Sequence, residues 1–444
     1  FLIAGLSSSA AGAGLWIIFR SPKPVISPAH GAIVIVVSWI VVCAVSAIPV
    51  MMLARVNFTL GFFESVSGWT TTGLSIVDVE KVPHILLLWR SIMQLAGGAG
   101  LAIVMLAAFS LPVGAGLYRA EGKGEQLVPN VVRSSKVVLT LYAAYAGLGI
   151  VGYLAAGMTP FDAINHTFAA ISTGGFSTHE ASIGFWDSPE IESVSIVLMI
   201  LGNLNFGTAY LLVRGRAKPF FLNVEIRLFF FLLIVAIPVV LFFTTRAIFP
   251  DLPKAVRVAV FETISALTTT GFSTVSYDSW NGTGLLVLIL LMIVGGGACS
   301  TAGGLKQYRV YLLWRSVRWE ISKTILPRRV VHEHRVWSGE FPSYPGDGQF
   351  MQAGAFAFLY LGFYFAGALA MSAYGIPLKS ALFEFASALG TVGLSVGVTS
   401  PSLPGPLIWL ETAAMFFGRL EFFVVIGAFA RAAMDIKRLF AGRR

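Results

Sequence analysis

Long apolar stretches recur along the chain in pairs, and each pair encloses a shorter segment that starts apolar and ends in threonine and glycine. The stretches 33–53, 85–110, 228–243, 285–294 and 407–429 carry few or no charges. Most reach the roughly 20 apolar residues that a helix needs to cross a bilayer. The short segments align without gaps at 63–75, 165–177, 261–273 and 383–395. Each reads as a half-helix running into Thr-x-Gly-[Leu/Phe]-Ser, and the aligned glycines Gly73, Gly175, Gly271 and Gly393 lie 102, 96 and 122 residues apart. One such pentapeptide is a common turn. Four in register, each between two apolar stretches, define an internal repeat.

The pattern predicts an all-α polytopic membrane protein of four helix, re-entrant pore helix and loop, helix units (M1–P–M2) around a pseudo-four-fold pore. Repeat one spans 29–115, with helices at 31–53 and 84–110 and a pore helix at 59–70. Repeat two spans 116–218, with helices at 136–157 and 192–213 and a pore helix at 160–172. Repeat three spans 219–340 (227–249, 253–268, 283–318), and repeat four spans 341–444 (350–374, 377–390, 404–438). Residues 1–28 form an N-terminal helical segment, read as the tail of a longer helix. Pro160, Pro253 and Pro377 stand at the first turn of their half-helices, where proline is tolerated.

Composition agrees: 56% hydrophobic and 12% charged residues, against about a quarter charged in soluble domains. The net charge of +9 follows the predicted topology. Of 31 basic residues, 23 fall on one set of loops, which the positive-inside rule makes cytoplasmic. A basic surface tied to topology is no signature of nucleic-acid binding. The two cysteines, Cys43 and Cys299, sit in apolar stretches and build neither a disulfide framework nor a metal site. Nucleotide-hydrolysis, zinc-protease and nucleophile motifs are absent from the sequence, so an enzyme is not expected.

Irregular backbone at membrane depth survives only when buried in protein or lining water. Four such loops form a ring, and glycine lets successive carbonyls point the same way. Carbonyl rings replace the hydration shell of potassium in channels whose filter reads TVGYG, and Thr391-Val392-Gly393 repeats its first three letters. The expected filter comprises Thr71, Thr72, Gly73, Thr173, Gly174, Gly175, Thr269, Thr270, Gly271, Thr391, Val392 and Gly393. Nine residues before each glycine stand Glu64, His166, Glu262 and Glu384. These either support the filter by hydrogen bonds to loop amides, the favoured reading, or attract ions directly. His166 reads as a pH-sensitive position or, more commonly for a packed histidine, a neutral one.

The chain resembles the Trk/Ktr/HKT superfamily of potassium transporters, most closely the bacterial Trk-type membrane subunit. Besides the four loops, the resemblance rests on residues 62–68, Trp89-Arg90-Ser91, residues 161–166 and 172–177, Asn205-Phe206 and the run Gly295, Gly296, Gly297, Ala298, Cys299, Ser300, Thr301, Ala302, Gly303, Gly304. It implies potassium as the permeating ion with no organic cofactor, a homodimer of pores, and a cytosolic nucleotide-binding regulatory ring on the basic face. Glycine at all four key positions goes in that superfamily with potassium over sodium. Residues 295–304 hold five glycines, too many for a stable helix at about 1 kcal/mol each. The resemblance makes them an intramembrane gate, with close helix packing as the alternative. Arg419, placed mid-way along the last helix, needs acceptors. The gate carbonyls serve in one reading, an ion pair with Glu411 or Glu421 in the other. His332 and His334 read as a solvated loop. A channel, a proton or sodium symporter, and a less selective sodium/potassium pathway look alike in sequence. An ion-coupled solute carrier would show two broken helices in corresponding halves rather than four alike loops.

Overall fold

The computed structural model describes residues 2–18, 28–100, 131–325, 335–338 and 342–441. Those residues form α1 (Leu2–Ile18), α2 (Pro28–Ala54), α3 (Phe58–Trp69), α4 (His84–Ala99), α5 (Val131–Ala155), α6 (Pro160–Ile171), α7 (Pro189–Asn203), α8 (Phe206–Val213), α9 (Ala217–Leu222) and α10 (Val224–Val240). A π-turn, Leu241–Thr245, prolongs α10 to Ile248. There follow α11 (Leu252–Leu267), α12 (Gly282–Val294), α13 (Gln307–Ile325), α14 (Asp347–Ala373), α15 (Leu378–Leu389), α16 (Gly405–Leu420) and α17 (Phe422–Ala441). A two-residue antiparallel pair, Val336–Trp337 with Pro342–Ser343, precedes α14. His332, His334 and residues 101–110 lie outside the described residues.

Among the described residues, four helices are each long and apolar enough to cross a membrane: His30–Ala54, Lys136–Ala155, Val224–Ile248 and Asp347–Ala373. They are the first helices of the four repeats. Their outward positions, such as Val41, Val151, Ile234 and Phe358, are exposed, as lipid-facing side chains are. The short helices α3, α6, α11 and α15 pack between the two long helices of their own repeat, and from the middle of each onward almost every side chain is buried. Each also meets the second helix of the preceding repeat: α4 on α6, α7 on α11, α12 on α15, and α16 back on α3. The repeats therefore close into a ring, and α17 fastens it by packing on α2.

Local sequence explains the starts of the half-helices. Asn57, Thr159 and Asp251 cap α3, α6 and α11 by accepting the N–H of Leu60, Asp162 and Lys254. Pro160 and Pro253 occupy first-turn positions, and Pro377 is the cap residue of α15.

Two of the expected second helices are corrected by the structure. The span expected at 192–213 is two helices, α7 and α8, bent by 110°. That expected at 404–438 is α16 and α17, bent by 103°. The physical reason is a terminated hydrogen-bond ladder. Leu204 is extended and Asn205 caps α8, while Glu421 takes a left-handed φ of 66°. Arg419 is thus next to last in its helix, not central in a longer one. In repeat one α4 ends at Ala99, and Gly100 turns away at φ 82°.

Candidate functional site

Each half-helix ends in the same way. The N–H of Thr71 bonds the Gly68 carbonyl (3.1 Å) and that of Thr72 the Ser67 carbonyl (2.9 Å). Thr173/Gly174, Thr269/Thr270 and Thr391/Val392 repeat the pair of bonds at 2.8–3.2 Å. This is the Schellman cap, which asks for a left-handed residue and normally takes glycine. Here the left-handed residue is threonine in all four repeats, with φ of 55°, 51°, 53° and 49°. A β-branched residue in that region is a genuine outlier, costing about 1–2 kcal/mol. Two residues on, Gly73, Gly175, Gly271 and Gly393 are again left-handed, at 94°, 72°, 82° and 95°. A residue of ordinary handedness stands between. The alternation turns consecutive carbonyls to one side of the strand.

The loops meet in a closed circle. A Cβ on Gly73 would overlap the Gly174 carbonyl oxygen, one on Gly175 the Thr270 oxygen, one on Gly271 the Val392 oxygen, and one on Gly393 the Thr72 oxygen. All four approaches are far under the 3.0 Å that real Cβ contacts keep. The structure thus brings all twelve Thr-x-Gly residues together, each repeat touching the next and the fourth touching the first.

Behind the ring, the aligned ionisable residues face the strand that leaves each glycine. Glu64 accepts from the Ser75 hydroxyl (2.9 Å) and the Ile76 N–H (3.0 Å). Glu384 accepts from Ser395 (2.6 Å), the Val396 N–H (3.0 Å) and the Thr399 N–H (3.0 Å). Glu262 accepts from the N–H and hydroxyl of Thr274, both at 2.8 Å, and from the Tyr277 hydroxyl. His166 stands 3.0 Å from the Ser177 hydroxyl through Nε2 and 2.9 Å from the Asp162 carbonyl through Nδ1. Three partners escaped sequence reasoning. Arg90, 2% exposed, pairs with Glu64 at 2.7 Å and lies over the Phe176 ring at 3.9 Å. Gln94 reaches into the second loop. Glu411, fully buried, takes the Thr399 hydroxyl at 3.2 Å, so two carboxylates share that threonine. Each stands as a polar side chain in an apolar run, Arg90 and Gln94 in α4 and Glu411 in α16; the sequence singled out Arg90 and Glu411 without these roles.

The glycine-rich segment sits against the ring. Gly295 ends α12 at φ 68°, and the chain returns so that Gly296 bonds Gly303 (3.2 Å), Leu305 bonds Ile293 (2.9 Å) and Gln307 bonds Gly296 (2.8 Å). Two threonines of the ring hold its tip: Gly303 N–H donates to the Thr269 hydroxyl at 2.7 Å, and Thr173 and Thr301 hydroxyls meet at 3.1 Å. Asn203 and Glu225 accept from Gly297 and Ala298 N–H, at 3.2 and 2.6 Å. Arg419 donates to the Thr301 carbonyl at 2.6 Å and to the carbonyls of Gly97 and Gly98 where α4 ends. Of its two expected acid partners, Glu421 pairs with Arg309 at 2.7 Å and Glu411 holds Thr399. Past the segment opens a cavity of about 360 Å³, lined by Cys299, Ser300, Lys306, Arg309, Arg419 and Glu421 among others.

The fold has counterparts among known proteins. The profile of the TrkH family, described as cation transport protein, matches residues 1–435. The chain belongs to the TrkH family of cation transport proteins. The Trk system potassium uptake protein TrkH of Escherichia coli strain K12 is 32% identical over 439 residues, covering 95% of this chain and 89% of that protein. The protein of the same name from Halomonas elongata is 31% identical over 450 residues, 97% of this chain and 91% of its own length. The crystal structure of the potassium transporter TrkH from Vibrio parahaemolyticus superposes with a TM-score of 0.83 at 27% identity, covering 96% of this chain and 90% of that one. The protein is accordingly a multi-pass membrane protein of this family.

Proposed function

We propose that the chain passes potassium across the cell membrane through the ring of four Thr-x-Gly loops. The observation that carries the reading is the four-fold alternation of left-handed threonine and glycine, a backbone pattern that lets successive carbonyls share one side of each loop. Strained backbone of this kind persists where function requires it. The ion has unclaimed oxygens to meet. Among the described residues, the hydroxyls of Thr71 and Thr391 are fully buried and take no hydrogen-bond partner, while those of Thr173 and Thr269 engage the segment below. Oxygens without hydrogens to receive are what a dehydrated cation replaces water with.

In this reading residues 295–304 and Arg419 close the pathway, and Glu64, His166, Glu262 and Glu384 hold the loops from behind. Two copies pair, and a cytosolic nucleotide-binding ring docks on the basic face; both rest on the family resemblance alone. Uphill coupling to protons or sodium, and a less selective sodium/potassium pathway, are the competing forms.

Rubidium uptake into liposomes holding the purified protein, with potassium, sodium and an organic solute as competitors, tests the proposal. Potassium is expected to compete at least ten-fold better than sodium, and Gly393→Ser to abolish that difference, since its Cβ collides with the Thr72 carbonyl. Equal competition by sodium removes the selectivity claim. Competition by the solute alone returns the solute carrier.

A further inference from the structure

The second loop departs from the other three, and both departures are filled by one side chain from another repeat. Six residues before the ring glycine, Ser67 and Ser387 accept the N–H of Gly73 (3.1 Å) and Gly393 (3.0 Å). In repeat three Ser265 stands there and donates to the Phe272 carbonyl at 2.6 Å. Repeat two has Ala169, with no hydroxyl to offer. One residue before the glycine the other repeats carry Thr72, Thr270 and Val392, whereas repeat two has Gly174. The second loop therefore lacks both an anchor and a side chain. Its Gly174-Gly175 pair has the widest conformational freedom in the ring.

Gln94 arrives there from α4, in repeat one, with no surface exposed. Its Nε2 donates to the Gly174 carbonyl at 2.5 Å, and its Oε1 accepts the Phe176 N–H at 3.1 Å. A carbonyl only accepts and an N–H only donates, so the amide has one orientation that satisfies both. A Cβ on Gly174 would overlap this amide, which explains why the position is glycine. The Gly174 carbonyl is also the one that abuts Gly73 of the neighbouring repeat. One of the four ring oxygens thus accepts an amide hydrogen bond that fixes its direction and draws on its electron density.

We propose that Gln94 is a specificity-determining positioning residue, which holds the Gly174 carbonyl in place and sets the ion preference of the second loop from outside its own repeat. The proposal deepens the potassium reading and rests on it. Without the amide, the glycine pair lets its carbonyl tip towards the axis and follow a smaller ion, so sodium gains on potassium.

The test is rubidium uptake into liposomes with potassium or sodium as competitor, for the wild type, Gln94→Met, Gln94→Glu and Gly393→Ser. Methionine keeps the volume and removes both hydrogen bonds. Glutamate keeps an acceptor for Phe176 but sets an oxygen against the Gly174 carbonyl. Both are expected to lower the potassium-over-sodium preference about ten-fold, the scale of one lost buried hydrogen bond. Total flux reports folding, and preference reports the filter. If both Gln94 variants transport with wild-type preference, or lose flux at unchanged preference, the side chain is structural only and the proposal is overturned. A wild type with no preference for Gly393→Ser to abolish means instead that the potassium reading has failed.

Discussion

At the scale of single residues, one register position is solved four ways. Glu64 is a carboxylate with a guanidinium beside it, Glu262 one with a tyrosine hydroxyl, and Glu384 one with a second carboxylate, Glu411, on the same threonine. His166 does the work with a ring. The alignment made the position visible, because four ionisable groups in register within apolar segments are costly and stand out. The partners were not visible, since Arg90 and Gln94 come from a helix that no repeat-to-repeat spacing links to the loops they hold. A clean consequence concerns Arg90. Arg90→Met leaves Glu64 buried with its counter-charge gone, a loss of about 3–5 kcal/mol for pairs of this kind. A marked fall in melting temperature in detergent is expected, with Glu64→Gln on top recovering part of it. Equal melting of Arg90→Met and wild type would show the pair to be energetically idle.

Elements show where sequence reading stops. The first helices and pore helices were legible to within a few residues, since long apolar runs, capping residues and first-turn prolines mark them. The breaks in the second helices were most legible where glycine is dense, at 295–304. At Leu204 the sequence did carry a signal, two glycines and two asparagines at 202–207, while beside Glu421 it carries only Gly418; tertiary partners complete the breaks. Asn203 and Asn205 bond the glycine-rich segment and the start of α8, and Glu421 pairs with Arg309. Breaks in three second helices, with the turn at Gly100 in the first, put helix ends and free carbonyls beneath the ring. Arg419 gathers those of Thr301, Gly97 and Gly98. Arg419→Ala removes these charge-assisted bonds, each worth about 1.5–3 kcal/mol, and frees the loop. Basal rubidium flux without any activating partner is expected to rise at least several-fold. Unchanged flux with intact folding would take Arg419 out of the gate.

On the scale of the whole molecule, ring closure depends on contacts between repeats, and the contact between repeats two and three is ionic. Arg257 of α11 donates to both oxygens of Glu192 on α7, at 2.9 and 2.6 Å, and to Asp187 at 2.9 Å, where Lys254 also bonds. The seam between repeats two and three thus carries two cations on two acids. The Lys254 ammonium, and after it Arg257, hold the Asp187 carboxyl below its ordinary range. An acid with a lowered folded value contributes its stability above the usual carboxylate range and loses it only as pH falls through the lower value. Acidification into the ordinary carboxylate range therefore leaves Asp187 charged. Glu192 is the side chain with most to lose, being 5% exposed in its pair. Arg257→Met strands it, at about 1–3 kcal/mol once exposure of the arginine is allowed for. Because the seam joins two repeats that each contribute one quarter of the ring, loosening it is expected to lower melting temperature and ion preference together. Arg257→Met with Glu192→Gln should recover the melting temperature. If the single variant melts early yet keeps full preference, the ring is held by the packing of pore helices alone and the seam is only a surface clasp.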